Sequence, residues 1–316
     1  MPKQIIKFYI PDNTTFLKYK FLEWFKSYKP VPDFPEDIQI QTITGCNASC
    51  QFCPNGKTKT QIKPTKMDDD LYQKIVNESI QNKVKRISPY LMNEPLLDKN
   101  IGWKIRYIAD RKPRSLSIKI NTNASMLNGN MRDQILNSGL DRLNISFHGI
   151  SKSVYEESMG GLKFEEVLSN VNNFIMEKKK RKLKEPQVRV VMVKTKLINK
   201  EIDKIREYWR ERGVGTHIRP MENRTNSLIQ KKNLNPDKWH HFRWCKRLFT
   251  QAYILATGDV VQCCVDWDRT TILGNVKDKS IKEIWNGDKA VSIRKKFLND
   301  DFRGLLCNEC LKQLSH

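Results

Sequence analysis

Three of the eight cysteines in this 316-residue chain are spaced closely enough to act together. Cys46, Cys50 and Cys53 form a C-x3-C-x2-C pattern directly after the strand-like run DIQIQTIT at 37–44. Three thiolates can bind three irons of a [4Fe–4S] cube and leave the fourth iron open to a small molecule that accepts an electron. Structural zinc is a weaker interpretation, because it takes four ligands and no fourth Cys or His lies nearby in the sequence.

The other five cysteines lie in the last quarter of the chain. Cys245 and Cys263 flank a segment that is predicted to form a hairpin, and Cys307 and Cys310 follow as a C-x2-C pair. A hairpin and a C-x2-C pair can together supply four thiolates. Both a structural zinc ion and an iron–sulfur cluster fit such a ligand set.

Six strand-like runs alternate with helix-like stretches over the middle of the chain. The strands are predicted at 37–44, 84–91, 115–121, 141–147, 187–194 and 215–219, and the helices at 68–81, 98–110, 129–138, 164–181 and 200–212. This alternation favours a parallel sheet with right-handed crossovers. Six units are too few for a closed eight-stranded barrel, so we expect a partial, open (β/α)6 barrel of the TIM type. The Cys46 loop is expected at its mouth, where parallel strands present their functional groups.

The rhythm of strands and helices divides the chain into four predicted parts. Residues 1–36 contain an apolar, lysine-rich helix that is expected to pack on the main domain. Residues 37–222 form the barrel, and 223–242 form a polar linker. The remainder, 243–316, is predicted to be a small module of a β-hairpin and a helix.

The hairpin of this module is predicted from two apolar runs, at 248–256 and 260–265, around a Thr-Gly-Asp turn. A helix is predicted to begin at Ser280, which opens a capping-box sequence. Cys263 and its neighbour Cys264 both fall on the return strand, where successive side chains point to opposite faces.

The composition excludes several classes of protein. No run approaches 18 uncharged apolar residues, which excludes a membrane-spanning helix. The N-terminus lacks the layout of a secretion signal, so we expect a cytoplasmic protein whose cysteines serve metal or redox chemistry. The net charge of +22 favours acidic partners, although lysines spread over solvated faces explain it equally well. The basic run KKKRKLK at 178–184 is predicted to be an exposed helix end, which makes nucleic acid an improbable partner.

The segment GCNASCQFCPNG at 45–56 resembles the cluster loop of the radical S-adenosylmethionine superfamily. That loop has the pattern C-x3-C-x-aromatic-C, with Phe52 as the aromatic residue here. Met92-Asn93-Glu94-Pro95 resembles the family's GGEP motif, which holds the methionine amino group of the cofactor. Both glycines of the motif are replaced, so Asn93 and Glu94 are the residues carried over as cofactor contacts.

Two further strand ends agree with the same resemblance. Asn121 and Asn123, at the end of the third strand, resemble the segment that approaches the ribose and methionine of the cofactor. Ser146, at the end of the fourth strand, matches a polar contact to it. The resemblance implies that the cluster reduces the sulfonium of S-adenosylmethionine by one electron. A 5'-deoxyadenosyl radical then abstracts a hydrogen atom from the substrate, while the protein supplies position and excludes water.

The tail resembles the shortened SPASM module called twitch. Its order is C-x12-G-x4-C, then LGNV at 273–276, SIKEIW at 280–285 and a final C-x2-C. The resemblance implies a single auxiliary [4Fe–4S] cluster, and the layout is similar to that of radical dehydrogenases acting on aminocyclitols. The implied ligands are Cys245, Cys263, Cys307 and Cys310.

Three residues are candidates for catalysis. Cys264 is left over once seven cysteines are assigned to clusters, and it can be a hydrogen-atom donor or a small buried residue. His148, just past the fourth strand, can be a proton acceptor or a structural histidine. Arg219, ending the sixth strand, can grip an anionic or hydroxylated substrate or form a salt bridge.

Three functions follow as hypotheses. The first is oxidation of a small polyol or amino-sugar, with the auxiliary cluster as acceptor of the second electron and flavodoxin or ferredoxin as reductant. The second is epimerisation or crosslinking of a peptide, or epimerisation of a sugar, with Cys264 as hydrogen donor. Residues 1–36 are short for a leader-binding domain, which weighs against a peptide substrate. The third, a basic nucleic-acid-binding metal protein, leaves the Cys46 loop unexplained.

Overall fold

A computed structural model describes most of the chain. The described residues are 31–55, 63–222, 224–225, 227–228, 233–236 and 245–311. The helix predicted within residues 1–36 and the linker predicted at 223–242 lie largely outside these ranges. The division of the chain into four parts therefore remains a prediction.

The described residues form a nine-stranded sheet in the order β6-β5-β4-β3-β2-β1-β7-β8-β9. The strands are β1 (Asp37–Ile40), β2 (Arg86–Ser88), β3 (Ser117–Thr122), β4 (Arg142–Ser146), β5 (Gln187–Lys194), β6 (Gly215–Pro220), β7 (Gln251–Ile254), β8 (Asp259–Val261) and β9 (Ile272–Asn275). Strands β1 to β6 pair in parallel, as predicted for the open barrel. Strand β7 pairs in parallel with β1, and β8 and β9 then add in antiparallel fashion. The tail module therefore continues the barrel sheet.

Helices connect the parallel strands and complete the tail. They are α1 (Asp69–Gln81), α2 (Ile101–Ala109), α3 (Gly129–Asn137), α4 (Lys152–Ser158), α5 (Phe164–Lys180), α6 (Ile202–Glu211), α7 (Lys246–Thr250), α8 (Ile281–Asn286), α9 (Asp288–Leu298) and α10 (Leu306–Leu311). The five helices predicted in the barrel are confirmed, and α4, α7, α9 and α10 were not predicted. At the start of α8 the Ser280 hydroxyl accepts a hydrogen bond from the backbone N–H of Glu283, which confirms the capping box.

The two faces of the parallel sheet differ in polarity. Ile38, Ile118 and Ile120 point to one face and pack in the same apolar core as residues of the helices. We call the opposite face of β1–β6 the inner face. The strand register places Asp37, Arg86, Lys119, Arg142, Asn144, Arg189 and Arg219 on it. The inner face is thus polar, and it leads to the carboxyl ends of the strands, where barrels of this kind hold their sites.

The predicted hairpin is wrong in its details. Helix α7 occupies the first part of the predicted strand 248–256, because Leu248 and Phe249 bury their apolar side chains with Phe297 of α9. The return strand, predicted through 265, ends at Val261. Cys263 and Cys264 therefore lie beyond the strand, where the alternation of strand side chains does not apply.

The surface agrees with two expectations from composition. No described helix is both long and apolar enough to cross a membrane. The basic run at 178–184 begins at the end of α5, where Lys179 and Lys180 are exposed. Arg181 is hydrogen-bonded to Glu177 and Asp133, at 2.7 and 2.6 Å, so this run is in part internally neutralised.

Candidate cluster and cofactor site

The Cys46 loop begins at the carboxyl end of β1 and is held against the end of β2. Gly45 has a φ of +92°, a conformation that glycine adopts without strain, and it forms a parallel bridge with Asn93. The backbone N–H of Glu94 donates to the Gly45 carbonyl at 3.0 Å. The two motifs predicted to bind the cluster and the cofactor are therefore joined through their backbones.

The turn between α4 and α5 supports the other side of this loop. The N–H of Ser49 donates to the Gly160 carbonyl at 2.7 Å, and that of Gln51 donates to the Ser158 carbonyl at 3.1 Å. The thiol of Cys50 lies 3.6 Å from the Met159 sulfur. Sequence reasoning missed this support, for which the only signal was the Met-Gly-Gly run at 159–161.

The three thiols of the loop are half-buried and lie close enough together to interact. Burial, and then the neighbouring Cys53 and Cys46, raise the pKa of the Cys50 thiol well above its ordinary value. The N–H of Ala48 and the side-chain amide of Asn123 both approach the Cys46 sulfur, at 3.4 and 3.8 Å. Thiolates so close together repel one another unless a metal neutralises them.

The described residues contain no group of three or more His, Cys, Asp or Glu side chains placed to hold a single metal ion. In a [4Fe–4S] cube each thiolate binds its own iron, so the sulfurs need not converge on a point. Three half-buried thiols with amide donors around them fit such a cluster.

Glu94 is buried and bridges the ends of β2 and β3. One carboxylate oxygen accepts from the Leu96 N–H at 3.0 Å and from the Thr122 hydroxyl at 2.6 Å, and the other accepts from the Asn123 N–H at 2.7 Å. Burial raises the pKa of Glu94 to about 7, although these donors oppose the rise. A carboxylate has about four acceptor positions, so one remains for a cationic group such as the cofactor ammonium.

The other predicted cofactor contacts lie around Glu94. The Asn123 amide donates to Asn47 of the cluster loop at 2.9 Å, and the Asn121 oxygen accepts from Asn144 at 2.9 Å. Asn93 accepts from the Leu91 N–H, while its buried amide nitrogen has no hydrogen-bond partner in the described structure. Ser146 is half-buried at the end of β4. The structure thus brings these residues to one end of the sheet, and their roles toward the cofactor remain predictions.

His148 supports the aromatic residue of the cluster loop. Its ring lies 4.2 Å from that of Phe52, and its Nδ1 accepts from the Val193 N–H at 3.1 Å. Burial lowers the pKa of His148 to about 3. A histidine that stays uncharged and whose Nδ1 is engaged by the backbone is suited to hold Phe52 in position. The proton-acceptor role of His148 remains a prediction.

The five tail cysteines come together from three parts of the module. Cys245 begins α7, Cys263 and Cys264 lie past β8, and Cys307 and Cys310 lie on α10. Burial raises the pKa of Cys307 to about 12, and the neighbouring Cys245 and Cys310 contribute to the rise. The side-chain amide of Gln262 donates to the Cys307 sulfur at 3.2 Å. This set fits a four-thiolate cluster with one cysteine in excess.

Cys263 and Cys264 differ in their surroundings although their thiols are hydrogen-bonded. That hydrogen bond lowers the pKa of Cys264, and the nearby Arg247 and Arg224 lower it further. Cys264 also packs against the same small apolar cluster as Cys53. The excess cysteine is thus on the side of the module that faces the first cluster loop.

The apolar cluster shared by Cys53 and Cys264 consists of Leu91, Met92, Tyr253, Leu255, Val261 and Trp267. Arg247 connects this region to the end of β6 through Glu222, with its shorter contact at 2.7 Å. Arg219 lies exposed on β6. One cysteine of each set, Cys53 and Cys264, therefore packs against the same apolar cluster.

Two family models match the chain. Residues 40–212 match the model described as the radical SAM superfamily, and residues 245–311 match SPASM, described as an iron–sulfur cluster-binding domain. The two matches contain the two sets of cysteines. Together they imply S-adenosylmethionine and iron–sulfur clusters as cofactors.

Individual relatives agree with both matches. An S-adenosyl-L-methionine-dependent 2-deoxy-scyllo-inosamine dehydrogenase of Niallia circulans is 22% identical over 280 residues, covering 86% of this chain and 91% of the relative. The crystal structure of BtrN with AdoMet and 2-DOIA has a TM-score of 0.57 at 20% identity, covering 88% of this chain and 91% of BtrN. That of Streptococcus suis SuiB bound to its precursor peptide SuiA has a TM-score of 0.67 at 16% identity, covering 92% of this chain and 74% of SuiB.

Proposed function

Because the chain belongs to the radical S-adenosylmethionine superfamily, we propose that it oxidises a small polyol or amino-sugar by way of a substrate radical. The observation that carries the proposal is that Cys264, in the tail beside the proposed ligand Cys263, packs against the same apolar cluster as Cys53 of the first cluster loop. Oxidation of an alcohol removes a hydrogen atom, a proton and a second electron. An electron acceptor beside the site is therefore what a dehydrogenase needs.

Cys46, Cys50 and Cys53 would hold the first cluster, with one iron left for the cofactor. Cys245, Cys263, Cys307 and Cys310 would hold the auxiliary cluster. When bound, these groups and S-adenosylmethionine supply the radical that takes the hydrogen atom and the acceptor for the second electron. The residues of the chain provide binding, orientation and exclusion of water.

The geometry of the site supports the contacts that we propose for the cofactor. Glu94 offers a buried carboxylate to the cofactor ammonium, and the hydrogen bonds from Thr122 and Asn123 fix its orientation. His148 holds Phe52 beside the cluster loop. Buried apolar side chains around Cys53 exclude water from the region between the thiol sets, which protects a radical from quenching.

The relative from Niallia circulans supports a small-molecule substrate, since its name gives 2-deoxy-scyllo-inosamine as what it oxidises and the chain covers 91% of its length. The one-electron reductant that we propose is a flavodoxin or a ferredoxin. Eight cysteines that form no disulfide bond are typical of a reducing compartment, so the location that we propose is the cytoplasm.

A second candidate is modification of a peptide. The likeness in fold to SuiB, whose structure contains its precursor peptide, favours it. Cys264, which packs against the same apolar cluster as Cys53, would be the donor of a hydrogen atom to a substrate radical. In that case the product is an epimer and no second electron leaves the substrate.

The first experiment is anaerobic reconstitution with iron and sulfide, followed by S-adenosylmethionine and dithionite. About eight irons per chain and formation of 5'-deoxyadenosine are expected from two [4Fe–4S] clusters. About four irons with 5'-deoxyadenosine would remove the auxiliary cluster, and with it the electron acceptor. A fully loaded protein that forms no 5'-deoxyadenosine would overturn the proposal.

Cys264→Ala separates the two candidates. A dehydrogenase keeps turning over and yields an oxidised product, whereas an epimerase loses its hydrogen donor. The matching readout is deuterium: an epimerase incorporates solvent deuterium at the inverted carbon. Deuterium in an otherwise unchanged product of the native enzyme would favour the peptide or sugar epimerase.

A further inference from the structure

The inner face of the sheet carries a row of cations across five neighbouring strands. The register pairs Asp37 with Arg86, and Lys119 with Arg142, so that these side chains leave the sheet on the same side. Arg189 is in register with Asn144 of that side. Arg219 follows on the edge strand β6 by the same alternation. Of the predicted site residues, only Arg219 belongs to this row.

Carboxylates do not balance this row within the described residues. Asp37 is paired with Arg86 and also accepts from Gln251 at 3.2 Å. Glu222, just past β6, is hydrogen-bonded by Arg247. Among the described carboxylates none forms an ion pair with Lys119, Arg142, Arg189 or Arg219. None of these four cations forms an ion pair with a described carboxylate, although Asp37 acts on Lys119 and Glu222 acts on Arg219 at longer range.

Lys119 is the second member of the row, and its pKa reflects the repulsion among these cations. Burial, and then Arg86 and Arg219, lower the pKa of Lys119 to about 7, and Asp37 only partly opposes them. Its ammonium lies 5.7 Å from the centre of the Tyr90 ring. An anion bound here would restore the full charge of Lys119 and relieve the repulsion among the arginines.

An unused acceptor lies in the same face. Asn144 is buried, and its amide nitrogen donates to Asn121 at 2.9 Å. Its side-chain oxygen is buried without a hydrogen-bond partner in the described structure. Buried acceptors are normally satisfied. A hydroxyl group of a ligand would supply the missing donor.

We propose that the inner face binds the substrate, and that the substrate is a phosphorylated polyol. Arginine and lysine suit a phosphate, which offers several oxygens and up to two negative charges. A hydroxyl of the polyol donates to Asn144. That the bound molecule is the substrate rests on the proposed function, whereas the binding of the phosphate does not. A substrate with a protonated amine at this position would instead meet like charge.

The test is calorimetric titration of the anaerobically reconstituted enzyme with myo-inositol 1-phosphate, myo-inositol and inorganic phosphate. The expected result is that myo-inositol 1-phosphate binds at least about tenfold more tightly than either of the others. Lys119→Gln/Arg219→Gln is expected to weaken its binding about tenfold or more. Arg219→Gln alone is expected to weaken the binding of myo-inositol 1-phosphate several-fold. Because Arg219 is exposed, this single variant should fold even if the double variant does not.

The matched control is Lys179→Gln/Lys180→Gln, which removes the same two charges from the exposed end of α5. It is expected to leave the affinity unchanged. Equal weakening by the two double variants would show general attraction to a basic protein and overturn the proposal. Loss of phosphate binding on saturation with S-adenosylmethionine would assign the cations to the cofactor carboxylate and overturn it as well.

The same titrations separate this proposal from the proposed function. Tight binding of the polyol phosphate without its oxidation would leave the anion site standing and remove the dehydrogenase. Oxidation of neutral polyols by an enzyme with no affinity for phosphates would support the dehydrogenase and overturn the anion site.

Discussion

The two thiol sets of this protein are built in opposite ways. Cys46, Cys50 and Cys53 come from one short loop, whose backbone is bound by Gly160 and Ser158 and whose half-buried side chains lie close together. The five tail thiols come from a helix start, a turn and a second helix. The first set is specified by local spacing, and the second by tertiary packing.

The difference affects what each set can bind. A cube has four corners, so the loop leaves one corner open and the tail supplies one thiol too many. The chemistry of the cofactor needs the open corner. In the tail, one thiol is left over, and the nearby Arg247 and Arg224 lower the pKa of Cys264. It must therefore be asked which cysteine binds the cluster and which is free to react.

The largest expected effect comes from removing one set at a time. Replacing Cys46, Cys50 and Cys53 by Ala should abolish 5'-deoxyadenosine and lower the iron content from about eight to about four per chain. Replacing Cys245, Cys307 and Cys310 by Ala should lower the iron content equally but keep cleavage of S-adenosylmethionine. Iron analysis and chromatography measure both quantities. If either triple variant lost all its iron, the two sets would not be independent.

The next largest effect is expected from testing which of Cys263 and Cys264 is the fourth ligand of the auxiliary cluster. Cys264 packs in the apolar cluster that also contains Cys53, whereas Cys245 and Cys307 pack against α9. Cys263→Ala should therefore lose about four irons, while Cys264→Ala keeps about eight. Electron paramagnetic resonance of the reduced proteins counts the clusters. The opposite pattern would make Cys264 the ligand and remove it as a hydrogen donor.

Sequence patterns predicted the barrel well, because each of its strands and helices is marked by a pattern of neighbouring residues. The apolar run at 187–194 coincides with β5, and the helix predicted at 68–81 coincides with α1, which Asp68 caps. The four ligand and cofactor segments also lie at strand ends as predicted. Alternation and capping are properties of neighbouring residues, which a single sequence displays.

The tail and the supports of the site were predicted poorly, because they depend on distant contacts. Leu248 and Phe249 have the apolar character of a strand, yet they form α7 since Phe297 offers them a packing surface. The bond between Ser49 and Gly160 joins residues more than a hundred positions apart. The pattern of His148 likewise gave no sign of its contact with Phe52.

A third prediction tests that distant support of the first set. A Cβ on Gly160 would lie 3.0 Å from the Ser49 carbonyl oxygen, a backbone atom that cannot move without the cluster loop. Gly160→Ala should therefore cost about 1–3 kcal/mol of stability and lower 5'-deoxyadenosine formation. The iron of the tail should remain.

Gly215→Ala is its control, since a Cβ there meets no atom within 4 Å. We expect its free energy of unfolding to stay within about 0.5 kcal/mol of the native value. Denaturant titration of both variants measures the difference. Equal stability of the Gly160→Ala and Gly215→Ala variants would mean that the cluster loop tolerates a shift of its backbone. The first set would then not be held more rigidly than the tail.

The smallest expected effect concerns the charge of Glu94, which lies beside the first cluster loop. Burial raises the pKa of Glu94 to about 7, above its ordinary value, so its carboxyl is uncharged below that pH and charged above it. A carboxylate attracts the cofactor ammonium, so the affinity for S-adenosylmethionine should rise from pH 6 to pH 8. Glu94→Gln should bind about tenfold more weakly at pH 8 and show a flatter pH profile. An identical rise in the variant would place the titrating group elsewhere. In the tail the pKa of Arg247 is raised well above its ordinary value, so Arg247 stays charged over this range and iron retention there should not change with pH. A pH response confined to the loop would reflect the different electrostatics of the two sets.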